Sequence, residues 1–120
     1  MGVFRRIFRR IGQSDEERLT EEVRDWAGSV PDTTRIEGCP ERSPVRIAGV
    51  VRRITLLPAG DDGVHSLRTV VHDGTGEIIA VWTGRDQIPG LHLGTRVVLE
   101  GLAARERDAL RMVNPRFEFV

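Results

Sequence analysis

The chain has 120 residues, room for one domain, with 39% hydrophobic residues, 30% charged residues and a formal net charge of zero. That balance is ordinary for a soluble globular chain and excludes a uniform polycation. No apolar run approaches the roughly 18 residues of a membrane span, the N-terminus lacks the apolar core of a secretory signal, and a lone cysteine, Cys39, excludes an internal disulfide.

Zero net charge hides a block layout. Residues 1–12 carry four arginines and no acid, residues 13–40 eight acids against three arginines, and residues 41–120 eleven arginines against ten acids. In the basic tip, Phe4, Ile7, Phe8 and Ile11 recur at spacings of three and four, with Arg5, Arg6, Arg9 and Arg10 on the other side. That is the period of an amphipathic helix. Gly12 breaks it. Ser14 with Glu17 three residues on is a capping-box signature, and Leu19, Val23 and Trp26 continue a second helical stripe. Residues 1–28 are therefore expected to be a helical extension. Residues 29–44 hold three prolines and Gly38 and read as a linker.

From Val45 the period becomes two, and residues 45–120 are expected to be all-β. Val45, Ile47 and Val51 alternate with Arg46, Ala48 and Arg52, and Gly49 sits where a bent strand would carry a bulge. Pro58 to Gly63 is a turn cluster. Leu67, Thr69 and Val71 alternate with Arg68, Val70 and His72. Asp73-Gly74-Thr75-Gly76 is a hairpin signal, because the aspartate can hold turn amides and the glycines can take positive φ. Ile78, Ala80 and Trp82 then share one face, with Ile79 and Val81 on the other. After an irregular stretch from Gln87 to Gly94, two strands follow, near Arg96–Ala103 and Leu110–Val120, joined by the charged turn Arg105-Glu106-Arg107-Asp108. Five short strands separated by turn signals suggest a small barrel or sandwich.

Three segments carry a family resemblance. Val70-Val71-His72-Asp73-Gly74-Thr75-Gly76-Glu77-Ile78 resembles the β2–β3 hairpin of oligonucleotide/oligosaccharide-binding (OB) domains. Gly94 with Arg96-Val97-Val98-Leu99-Glu100-Gly101 is similar to their fourth strand, and Met112-Val113-Asn114-Pro115-Arg116-Phe117-Glu118 to their closing strand. Over residues 43–120 the pattern most resembles the wedge domain of the RecG replication-fork helicase. Anticodon-binding OB domains of aminoacyl-tRNA synthetases resemble it less closely. Small actinobacterial OB-fold nucleic-acid-binding proteins are also similar. The resemblance implies a five-stranded Greek-key OB barrel with an N-terminal helical extension. It implies no motor, since the chain has no Walker motif.

The residues themselves argue against catalysis. His65, His72 and His92 are scattered, no nucleophile motif accompanies them, and no Cys/His cluster invites a metal or cofactor. The expectation is a non-enzymatic, cytoplasmic protein that holds single-stranded DNA or RNA with little base reading. All 18 basic residues are arginine, which codon usage alone can produce but which also suits phosphate binding. OB domains bind on the outer face of strands 2 and 3 and the adjoining loops, so the candidate contacts are Arg52, Arg53, Arg68, Val81, Arg85, Arg105, Arg107 and Arg111. Asp73, Gly74, Thr75 and Gly76 are read as a structural turn. Trp82 has two readings, core residue or base-stacking platform, and strand parity favours the core. The rival function is a protein- or membrane-interaction module, with residues 1–12 docking on a protein partner, on an anionic membrane surface or on the chain's own body.

Overall fold

The structure, a computed structural model, describes residues 14–120. The amphipathic tip therefore lies outside the described residues. Helix α1 spans Asp15–Ser29. Ser14 caps it, its hydroxyl accepting the Glu17 amide at 3.1 Å, and Asp15, Glu16 and Glu17 place negative charge at the positive end of the helix dipole. Only Ala27 of α1 is fully buried. Ala27 packs with Trp26 and Val30 onto Ala48 and Val98, small residues that let the helix approach the outside of the sheet.

Six strands follow: β1 Pro44–Leu57, β2 Ser66–His72, β3 Glu77–Thr83, β4 Arg96–Glu106, β5 Ala109–Val113 and β6 Arg116–Phe119. The first five close a ring. β1 pairs antiparallel with β2, β2 with β3, β3 runs parallel to β5, β5 pairs antiparallel with β4, and β4 returns to β1. The 14-residue β1 makes closure possible by serving two neighbours in turn: Pro44–Val50 pair with β4 and Val50–Leu57 with β2. A register shift between Val51 and Arg53 makes Arg52 the extra residue of a bulge, which bends the strand. The bulge is thus not at Gly49. Gly49 is instead a close-approach position, where a Cβ would lie 2.5 Å from Val71 and 2.8 Å from the His72 carbonyl oxygen.

Inward residues follow the alternation expected from sequence. Ile47, Val51, Leu67, Val71, Ile78, Ala80, Leu99, Ala103, Leu110 and Met112 fill the ring. Trp82 is 4% exposed, donates its Nε1–H to the Pro115 carbonyl at 3.1 Å and meets Phe117 edge-on at 5.4 Å between ring centroids. It is a core residue, and the stacking-platform reading falls. The expected fifth strand is interrupted. Asn114 takes φ 51° and Pro115 follows, so β5 pairs with β3 and β4 while β6 pairs with β4 beyond the ring. Asn114 ties the break down: its Oδ1 accepts the Thr83 amide at 2.9 Å, and its own amide donates to the Val81 carbonyl at 2.7 Å.

The segment between α1 and β1 has no helix or strand, yet it is packed. Ile36 and Cys39 belong to the ring's core cluster. The turn Asp73–Gly76 holds them there. Asp73, 1% exposed, accepts at Oδ1 from the amides of Thr75 and Gly76 and from the Thr75 hydroxyl, and at Oδ2 from the Ile36 amide at 2.8 Å. The Thr75 hydroxyl also accepts the Glu37 amide at 3.1 Å. Of the two turn glycines, Gly74 alone has positive φ (84°), and there a Cβ would meet the Thr20 carbonyl oxygen of α1 at 2.7 Å. One turn therefore closes a hairpin, anchors the strap at 36–39 and seats α1.

Candidate functional site

The register aligns the outward side chains of β1, β2, β3 and β5 into cross-strand rows. In one row Arg53 stands opposite Val70, Val70 opposite Ile79, Ile79 opposite Arg111 and Arg111 opposite Ala104. In the next, Thr55 stands opposite Arg68, Arg68 opposite Val81 and Val81 opposite Val113. Neighbouring strands lie about 4.8 Å apart, so Arg53 and Arg111 flank a valine–isoleucine floor roughly 14 Å across three strand spacings. These two rows contain three arginines and no acid.

The loops sit at opposite ends of this face. β3 and β5 are parallel, so the β4–β5 turn with Arg107 lies at the same end as the Asp73–Gly76 turn. Arg85 follows β3 at the other end, where the Gly84 amide donates to the His65 carbonyl at 2.7 Å beside the β1–β2 loop. Arg107 itself has φ 58°, a left-handed position that a non-glycine residue holds at a cost.

The eight candidate contacts do not behave alike. Arg52 is held by two carboxylates, Glu77 at 2.9 Å and Glu16 at 3.3 Å. Arg105 pairs with Glu41 at 3.1 Å, and Arg111 with Glu106 at 3.3 Å. Arg53, Arg68, Arg85 and Arg107 make no ion pair among the described residues. Val81 is a correction. It has the outward parity expected of it, but it is 8% exposed and offers a ligand little surface. Parity reports which face a side chain takes, not how far its neighbours cover it. Leu102 and Val113 are 61% and 59% exposed, and neither stood among the candidates. Their outward parity was the available signal.

Two titrating groups are shifted. Burial pushes the His72 imidazole below its ordinary value, and Arg52 adds to that. Glu77 and Asp73 pull weakly the other way. Burial pushes the Cys39 thiol up, against the pull of Arg105 and with a small contribution from Asp73. A buried neutral thiol is a poor nucleophile. Near the same end, a cleft of about 440 Å³ is lined by Ile36, Ile79, Leu110, Arg105, Glu37 and Asp108, among others. Its carboxylates make it a poor seat for a polyanion.

Among the described residues, no three His, Cys, Asp or Glu side chains converge as metal ligands do. Among the same residues no helix is long and apolar enough to cross a membrane. No family model matches the chain, and no curated protein matches it.

Proposed function

We propose that the five-strand ring is a Greek-key barrel of the OB type, whose outer β1–β2–β3–β5 face holds single-stranded or branched nucleic acid without catalysing a reaction. The observation that carries this reading is the pair of acid-free rows, in which Arg53 and Arg68, beside the Val70–Ile79 floor, make no ion pair among the described residues. Arginine suits this task because its planar fork meets phosphate oxygens with two parallel bonds. The aliphatic floor gives a splayed strand contact area without reading base edges. No asparagine or glutamine stands in the two rows to pair with an exposed base. Capture would therefore be electrostatic, weakly sequence-selective and salt-dependent. The buried Trp82 removes the strongest stacking platform, so charge has to supply most of the affinity.

The test is a fluorescence-anisotropy titration of the full chain against labelled oligothymidine, a mixed-sequence single strand and the corresponding duplex, at rising salt. Single strands of both sequences should bind similarly and more tightly than duplex, with affinity falling steadily as salt rises. Protein that ignores single strands even at low salt would overturn the proposal. One observation favours a second reading, a protein-interaction module: Leu102 and Val113, both outward on adjacent strands, expose apolar surface that nucleic acid does not need. Failure of the titration would pass the face to that reading.

A further inference from the structure

Strand β1 has two edges, and the ring closes one of them only in part. β4 covers that edge up to Val51, whose amide donates to the Thr95 carbonyl at 3.0 Å and whose carbonyl accepts the Gly94 amide at 2.8 Å. Beyond Val51, β2 alone pairs with the strand among the described residues. The bonding parity says which groups are left over. Asp73 donates its amide to the Gly76 carbonyl, and Gly84 donates its amide to the His65 carbonyl. In an antiparallel ladder successive residues bond to opposite sides, so Leu67, Thr69 and Val71 bond toward β3, while Ser66, Arg68 and Val70 bond toward β1. Their partners on β1 are Leu57, Thr55 and Arg53. The N–H and C=O groups of Ile54 and Leu56 therefore point away from β2, and among the described residues no hydrogen bond reaches them. Such an unpaired row is a template for another strand. Ile54 packs partly on the ring's core, Leu56 is 49% exposed, and Leu93, next to Gly94 where the open edge begins, is 69% exposed.

We infer that this edge pairs with the same edge of a second copy of the chain, β1 against β1, about a two-fold axis at Thr55. The edge is complementary to itself in its bonding groups, its side chains and its length. Antiparallel pairing centred on Thr55 sets Ile54 of one copy opposite Leu56 of the other, and these are the residues whose backbone groups face outward, so every one of those groups finds a partner. A register centred on Leu56 would set Ile54 opposite Pro58, which has no N–H to give. Ile54 and Leu56 also share the inner face of β1, opposite the inward Thr69 and Leu67, so each apolar side chain meets another across the axis. Arg53 falls opposite Leu57, and no like charges stand opposite each other. Pro58 of one copy falls opposite Arg52 of the other, one residue short of Val51, where Gly94 already closes the edge. The pairing thus fills the open segment and stops, with the exposed Pro58 brought to the Leu93 end of the other copy. The contact is isologous. It is shorter than the roughly 800 Å² per partner of a standard interface, so the dimer is weak and forms with concentration. Arg53 and Thr55 of both copies then stand on one continuous outer face, but the inference does not depend on the nucleic-acid reading.

The experiment is sedimentation equilibrium on the full-length chain, without nucleic acid, from about 1 μM to about 1 mM, the range that weak interfaces occupy. It is paired with amide hydrogen exchange at both ends of that range. Wild-type mass should rise from the 13.4 kDa of one chain toward twice that value. The Ile54 and Leu56 amides should become protected as it rises, while Val71 and Met112 keep one rate throughout. Leu56→Pro removes only a donor that faces away from β2, so the ring keeps its ladder, and the dissociation constant should rise roughly tenfold or more. Leu56→Lys keeps the N–H and puts a charge into the apolar pair, and it should weaken the dimer as well. A chain that stays at one mass up to the highest concentration would overturn the inference. So would a dimer that both variants leave intact, which would place the interface elsewhere. Protection of Ile54 and Leu56 that does not change with concentration would show that the chain covers its own edge, and that too overturns it.

Discussion

Asp73 shows how much one buried carboxylate can organise. One oxygen serves the turn and the other serves the strap, so the two jobs can be separated chemically. In Asp73→Asn the amide oxygen can keep the turn bonds, but the NH₂ then faces the Ile36 N–H, donor against donor. The variant should lose about 1–3 kcal/mol of stability by urea unfolding. The strap should lift more often, and Cys39, the strap's own buried thiol, should react faster with a thiol reagent under native conditions. Unchanged Cys39 labelling would mean that the strap is held by Ile36 packing alone. His72 sets a pH dependence whose sign is fixed by its environment. Burial and Arg52 lower its pKa in the folded protein. The unfolded chain therefore takes up the proton first as pH falls. Stability from the neutral ring is complete above the ordinary value of 6.5 and is lost as pH falls from there toward the folded-state value. The urea midpoint should drop as pH falls below the ordinary value of 6.5, and His72→Gln should flatten that drop. An identical pH profile in the variant would show that the carboxylates alone set it.

At the scale of elements, the β4–β5 turn offers a clean test. Arg107 sits at φ 58°, so Arg107→Gly should relieve strain and leave stability equal or higher by up to about 1 kcal/mol in thermal unfolding. Lower stability would mean that the arginine side chain holds the turn. The same substitution removes a candidate phosphate contact, so any loss of binding in it cannot be blamed on misfolding. Strands were legible in the sequence where, as in β2 and β5, they bury alternate residues, and α1 because Ser14 and Glu17 mark its start. What stayed hidden depended on contacts distant in sequence. Ile36 and Cys39 are isolated apolar residues among turn formers and form no period, so nothing local marks them as core. Gly49 was read as a bulge because a glycine in a strand signals either a bulge or a close approach, and only the position of Val71 decides between them. The kink at Asn114 needed the knowledge that β5 must leave β3. In the site, the arginines were visible as a set. Which of them are neutralised was not, because Glu16, Glu41 and Glu77 reach them only through the fold.

For the molecule as a whole, the division between paired and unpaired arginines turns the proposed function into a quantitative expectation. Arg53 and Arg68 stand in the two central rows, Arg107 at the turn end and Arg85 at the opposite end. A strand laid across the face from one end to the other meets all four. Each phosphate contact contributes about −0.7 to the slope of log affinity against log salt on single strands. Four such contacts give a slope near −3, whereas engagement of all seven candidate arginines would bring it near −5. Arg53→Ala and Arg68→Ala should each make the slope shallower by about 0.7 and weaken binding to every sequence alike. Arg52→Ala and Arg105→Ala should leave it nearly unchanged, because carboxylates already neutralise those guanidinium groups. Anisotropy titrations of the four variants, each checked for wild-type thermal stability, separate the outcomes. Equal flattening in all four would mean that the strand senses a diffuse cloud of charge rather than a defined face. Flattening in Arg52→Ala and Arg105→Ala alone would move the site to the end of the ring formed by the Asp73–Gly76 turn and the strap. A wild-type slope near −1.4, that of two contacts, would confine the strand to the two central rows, with Arg85 and Arg107 as solvated surface at either end.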